Sequence, residues 1–135
     1  MPDISMDRGV VTLRSGFNVP QTVERITHVL GEHGATVFAH IDFSGDAGRA
    51  GLTMRPEQML IFGNPKSGTP LMQIEPRVGL DLPLKVLVWE DDHGATWLAY
   101  NTPEYILGRH GLPLSMAPGL EGALTLLKQF AVADF

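Results

Sequence analysis

The chain has 135 residues, a formal charge of −5, no cysteine, and 44% hydrophobic against 19% charged residues. This balance is typical of a soluble globule with one core, and without thiols there is no disulfide or thiolate chemistry, which suits a reducing cytoplasm. No Lys/Arg cluster of the kind that tracks a nucleic-acid backbone is present. The segment MPDISMDRGVV lacks a basic-then-apolar leader, and no apolar run approaches the ~20 residues of a membrane span, so neither nucleic acid nor membrane is expected as a partner.

Val10–Ser15 (VVTLRS) is a β-branched run ending at Gly16 and reads as a first strand. Asn18 follows as a helix cap, with Gln21 in capping-box position and Pro20 in the first turn. Val19, Val23, Ile26 and Leu30 then fall on one helical face, and His33-Gly34 supplies a left-handed stop. Ala35–Phe43 reads as the second strand, with His40 and Asp42 on a common face. Ser44–Ala50 is small and polar, a loop or a single helical turn. Met59–Phe62 is a short, wholly apolar third strand of central character, halted by Gly63-Asn64-Pro65.

Thr69 is expected to cap a second helix with Pro70 at its first position. Pro76 then imposes either a kink or two short helices, 70–75 and 76–81. Leu84–Glu90 is the fourth strand, Asp91-Asp92-His93-Gly94 a hairpin, and Ala95–Asn101 the fifth strand. Thr102-Pro103 opens a helix through Arg109, stopped by Gly111 and Pro113, and Leu120–Val132 forms the last, with Leu120, Leu124 and Leu127 on one side. The order β-α-β-β-α-β-β-α-α, with no repeat or linker, predicts a single α+β domain over 1–135. Its architecture is a two-layer sandwich, a mostly antiparallel sheet with helices on one face.

Three blocks in this order carry a family likeness: LIFGNPKSGTPLM at 60–72, LDLPLKVLVWED at 80–91 and WLAYNTPEYILGRHGL at 97–112. With the first helix and the 35–42 strand, they make residues from about 9 to 112 resemble the bacterial domain-of-unknown-function family 302 (DUF302). The resemblance implies a small two-layer α/β domain, often found alone and often dimeric, with no established activity. Many members read I-D-H where this chain has Ile41-Asp42-Phe43, so any family-wide role for that histidine is in doubt here.

The residues present several chemistries. Gly63-Asn-Pro-Lys-Ser-Gly68-Thr69 spaces two glycines like a phosphate loop, but Thr69 stands where that motif needs its lysine, so nucleotide hydrolysis is not expected. Amides at a helix start with Lys66 could still hold a carboxylate or phosphate, although the same residues serve equally as a strand-to-helix turn. His40 and Asp42 could be two metal ligands, short of the three a catalytic zinc site uses, and otherwise read as a polar edge residue and a turn cap. Glu90, Asp91 and Asp92 crowd a hairpin where carboxylates are usually solvated, Glu90 being the least idle. Tyr100, Arg109 and His110 could rim a pocket, though the last two also suit a helix C-terminus. No serine lies in a nucleophile motif. Trp89 and Trp97 are placed to pair across the hairpin; on an uncovered sheet face they would call for a partner, most simply a second copy.

The reading that follows is a non-enzymatic, cytoplasmic homodimer without cofactor or metal. It binds a small organic or anionic ligand through Asn64, Lys66 and Thr69, with Asp42 and His40 as secondary contacts. One alternative is a metal-assisted or acid–base enzyme using His40, Asp42 and Glu90, which requires those three side chains to converge. The other is a structural interaction module built on the aromatic face.

Overall fold

The structure, a computed structural model, describes residues 3–133, with side chains described from 3 to 127. Its strands are β1 (Ile4–Asp7), β2 (Val10–Ser15), β3 (Thr36–Asp42), β4 (Glu57–Gly63), β5 (Leu84–Glu90) and β6 (Thr96–Asn101). They form one antiparallel sheet in the order β1-β2-β6-β5-β4-β3. The helices are α1 (Val19–Glu32), α2 (Phe43–Arg49), α3 (Pro65–Ile74), α4 (Pro103–Arg109) and α5 (Pro118–Ala133). The α+β fold with a single helical layer is as the sequence predicts, with two elements added.

The first addition is β1, joined to β2 through Arg8 and Gly9, both at positive φ (54° and 80°). Two such residues make a tight turn whose twist matches the strands it links. Arginine in that conformation disguises the turn in the sequence. Only glycine fits at position 9, since a Cβ there would lie 2.7 Å from the Tyr105 side chain. The second addition is α2, where a loop or single turn was expected. Its glycine-rich sequence has low intrinsic helicity, and Asp42 compensates by accepting bonds from the Gly45 amide (3.0 Å) and the Ser44 hydroxyl (2.8 Å).

α1 forms as its pattern dictates. The Asn18 side chain accepts from the Gln21 amide while Gln21 accepts from the Asn18 amide, and Val19, Val23, Ile26 and Leu30 are buried. The start of α3 corrects the expectation at Thr69-Pro70. Asn64-Pro65 carries the same cap-then-proline pattern five residues earlier, and it is Asn64 that caps, accepting from the Lys66 amide at 2.9 Å. Pro70 is therefore inside the helix, where it forfeits one backbone hydrogen bond. Of the two outcomes foreseen at Pro76, the chain takes the break: α3 ends at Ile74 and a 3-10 turn follows over Pro76–Leu80, capped by Glu75.

One face of the sheet carries Leu13, Leu60, Phe62, Leu84, Val86, Val88 and Leu98, all buried against α1, α3, α4 and α5. Strand register sends the alternate residues, among them Met59, Leu87, Trp89 and Trp97, to the opposite face. Tyr100, expected as a possible rim residue, is on the core side, and burial raises its pKa.

Candidate functional site

β4 ends at Gly63, β3 begins opposite it at Thr36, and β5 begins beside it after a cis Leu82–Pro83 peptide. The first turns of α3 and α5 close over this end of the sheet. They leave a hollow of about 570 Å³ lined on the sheet side by Ala35, Phe38, Leu82 and Leu84, and on the helix side by Met72, Leu120, Ala123 and Leu126. Small residues make the space: Gly119 and Gly122 of α5 line it, and a Cβ at Gly122 would meet nothing within 4 Å.

The polar lining is sparse and uncharged. Asn64, Ser67 and Thr69 contribute from α3 and its cap, and His33 from the end of α1, where its Nδ1 donates to the Val29 carbonyl at 2.9 Å. Among the described residues, no Asp, Glu, Lys or Arg lines the hollow. Asn64 uses its Oδ1 on the Lys66 amide, which leaves its amide nitrogen as a donor. Among the described residues, the hydroxyls of Ser67 and Thr69 have no protein partner.

Of the five residues singled out from the sequence, the structure places Asn64 and Thr69 in the hollow. Lys66 is exposed and does not line it. The first amides of α3 are also turned inward: those of Ser67 and Gly68 donate to the Asn64 carbonyl at 2.9 and 3.0 Å. His40 and Asp42 lie at the far end of β3, where Asp42 pairs with Gln58 rather than near Gly63. His40 Nε2 donates to Gln58 Oε1 at 2.6 Å, and Asp42 caps α2, its carboxyl held below the ordinary value by the Gly45 amide and then the Ser44 hydroxyl.

Glu90 is not brought to either of them by any hydrogen bond among the described residues. It lines a separate, shallower trough of about 520 Å³ with Arg14, Asn18 and Thr96. At the hairpin the occupied carboxylate is Asp91. It accepts from Trp97 Nε1 at 2.8 Å and from the Ala95 and His93 amides at 2.9 Å, and these bonds, the indole first, hold its pKa down. Arg109 and His110 both donate to Asp81 and do not line the hollow. The walls contributed by Phe38 and by Gly119, Gly122 and Ala123 escape sequence reading. The run Pro118-Gly-Leu-Glu-Gly-Ala123 hints at close helix approach but not at what it approaches.

A six-stranded antiparallel sheet backed by one helical layer, with an apolar recess where strands hand over to helices, defines a small two-layer α+β domain with a pocket at one end. The chain belongs to the family described as "Domain of unknown function DUF302", whose model matches residues 11–127. A crystal structure of a DUF302 protein from Bacillus stearothermophilus shares the fold, with a TM-score of 0.79 at 19% identity over 94% of this chain and 98% of that one. Curated relatives include "Fluoride-specific ion channel FluC 1" of Brucella suis biovar 1, 40% identical over 120 residues, which are 89% of this chain and 47% of the relative. Another is "Fluoride-specific ion channel FluC 2" of Brucella melitensis biotype 1, 40% identical over 89% of this chain and 44% of the relative. The chain thus spans less than half the length of these relatives. No helix among the described residues is long and apolar enough to cross a membrane.

Proposed function

We propose that this domain is a non-enzymatic intracellular binder of a small, uncharged and largely apolar organic molecule, held in the hollow between α3, α5 and the ends of β3, β4 and β5. The hollow itself carries this reading: its volume falls in the range of small-molecule sites, its walls are apolar, and it offers a few convergent polar groups. The hydroxyls of Ser67 and Thr69 and the amide nitrogen of Asn64 would meet a carbonyl or hydroxyl on the ligand. An anionic ligand is less well supported, because among the described residues it would find no cation in the lining and no amides left at the start of α3.

Thermal-shift and ligand-observed NMR screening against uncharged metabolites tests the proposal. A hit at a hundred times its Kd is expected to add ~2.7 kcal/mol of stability. Gly122→Leu, which grows a side chain into the space, should abolish the shift while the protein stays folded, and Lys66→Ala should leave it intact. Hits indifferent to Gly122→Leu would place binding elsewhere and sink this reading.

The relatives favour a second role that is compatible with the first: companion to a membrane channel. A channel must carry membrane-spanning helices or a closed barrel, and the matched 120 residues correspond here to an α+β domain in which no helix among the described residues is long and apolar enough to span. In this reading the spanning part of the Brucella proteins would lie in the half that this chain does not match, with a domain like this one attached to it. Cells producing the Brucella suis relative with and without its matched segment should differ in fluoride tolerance, and this chain supplied separately should restore part of the difference. Equal tolerance in all three strains would remove the connection.

A further inference from the structure

The trough beside Glu90 lies at the opposite end of the sheet from the hollow and is built on one row of the helix-covered face. Strand pairing sets Ser15, Thr96 and Glu90 side by side across β2, β6 and β5, one step of the alternation beyond Leu13, Leu98 and Val88 of the core. Ser15 is occupied: its hydroxyl meets that of Thr22 at 2.6 Å and accepts from the Phe17 amide at 3.2 Å, which pins the start of α1 over the row. Thr96 and Glu90 are not. Among the described residues, neither the Thr96 hydroxyl nor the Glu90 carboxylate has a hydrogen-bond or ionic partner. Thr96 is nonetheless only 4% exposed. No fully buried side-chain oxygen or nitrogen among the described residues lacks a partner, so the exposed sliver of Thr96 includes its hydroxyl, which opens into the trough.

We propose that this trough is a binding site for the primary ammonium group of a small organic amine. Thr96 and Glu90 are direct cross-strand partners, which puts their Cβ atoms ~5 Å apart on the same face. An ammonium nitrogen, with three donors, fits between their polar ends and gives one hydrogen to the hydroxyl oxygen and another to the carboxylate. The charges of the lining call for a cation. Arg14 faces Asp3 across 4.0 Å and balances it, which leaves the negative charge of Glu90 unmatched. The chain's formal charge of −5 favours a cation further. A divalent metal takes several oxygen ligands, and among the described residues no three His, Asp or Glu side chains are grouped to hold one. Asn18, whose side-chain nitrogen remains a donor while its Oδ1 takes the Gln21 amide, stands at the rim. Phe17, steadied by Arg25 stacked on its ring at 3.8 Å, supplies an apolar wall for the carbon chain of the amine.

The site is separate from the hollow, and its test does not depend on what the hollow binds. An NMR titration of the isotope-labelled full chain with n-butylammonium chloride at constant ionic strength should give saturable amide shifts. They are expected at Ser15–Asn18, Glu90 and Ala95–Thr96, with a Kd in the millimolar range. Glu90→Gln keeps the shape and removes the charge, whereas Thr96→Val keeps the shape and removes the hydroxyl. The first should weaken binding by about tenfold or more and the second by about three- to tenfold, the same spectra reporting that each variant is folded. Thr96→Val decides if Glu90→Gln fails to fold. Tetramethylammonium, which has the charge but no N–H, should give no saturable shift, and Gly122→Leu should leave the butylammonium titration unchanged. A wild-type chain without saturable shifts would overturn the proposal, as would binding indifferent to Glu90→Gln and Thr96→Val. So would tetramethylammonium binding as tightly as butylammonium, or a titration abolished by Gly122→Leu.

Discussion

Phe62→Ala is expected to destabilise the domain by about 3–5 kcal/mol, the range measured when a fully buried aromatic side chain is removed. Phe62 is fully buried in β4, paired with Val37 of β3 on one side and Leu84 of β5 on the other, so neither neighbour can move into the gap without breaking the ladder. Domains of this size have ~5–15 kcal/mol in total, so the loss is a large share of what holds the chain folded. Urea unfolding should show the midpoint falling sharply with little change in slope, and heating should show a Tm lowered by more than ~10 °C. Phe62→Leu, which keeps most of the volume, should cost under ~1.5 kcal/mol. A loss below that figure for the alanine variant would mean that Phe62 is not packed between the strands as described.

Asp81→Ala is expected to be the most damaging polar change. Asp81 follows the 3-10 turn, and its carboxylate receives Arg109 Nη1 at 3.0 Å on both oxygens and His110 Nε2 on one. The Asp81 and His110 side chains are only 12% and 7% exposed, whereas Arg109 is 50% exposed. Removing the carboxylate leaves a buried imidazole donor without an acceptor, at a cost of about 2–4 kcal/mol. Arg109→Ala removes a solvent-screened contact and should cost no more than ~1 kcal/mol. Chemical denaturation of both variants and of His110→Ala, combined as a double-mutant cycle, would assign most of the coupling to the Asp81–His110 pair. Equal effects of the Arg109 and Asp81 substitutions would contradict the burial difference.

Wherever local chemistry is decisive, the elements were legible in the sequence. The α1 capping box, the 91–94 hairpin and Thr102-Pro103 are self-contained signals, and the structure uses each where it stands. Where two local signals compete, tertiary context decides: Asn64-Pro65 and Thr69-Pro70 are equivalent openings, and β4 hands the chain over at the first. β1 had no turn signature to announce it, because its hairpin places an arginine at positive φ. The hollow was half legible. Asn64 and Thr69 could be named because they sit in the loop that attracts attention, but α5 reaches that loop only through the fold, so its glycines hint at a close approach without saying to what. Lys66 drew notice for its charge, yet its position two residues into α3 sends it outward.

β3 shifts register between Val37 and Ala39, and Phe38, in the shift, is 51% exposed and lines the hollow. A shift of this kind takes a residue out of the strand's obligatory alternation, so Phe38 answers neither to the core nor to the ladder. Its size and polarity can change without disturbing Val37 and Ala39, which pair with Phe62 and Ile61 on either side. This chain thus possesses a position at which the mouth of the recess can be re-tailored by one substitution while the scaffold stays put.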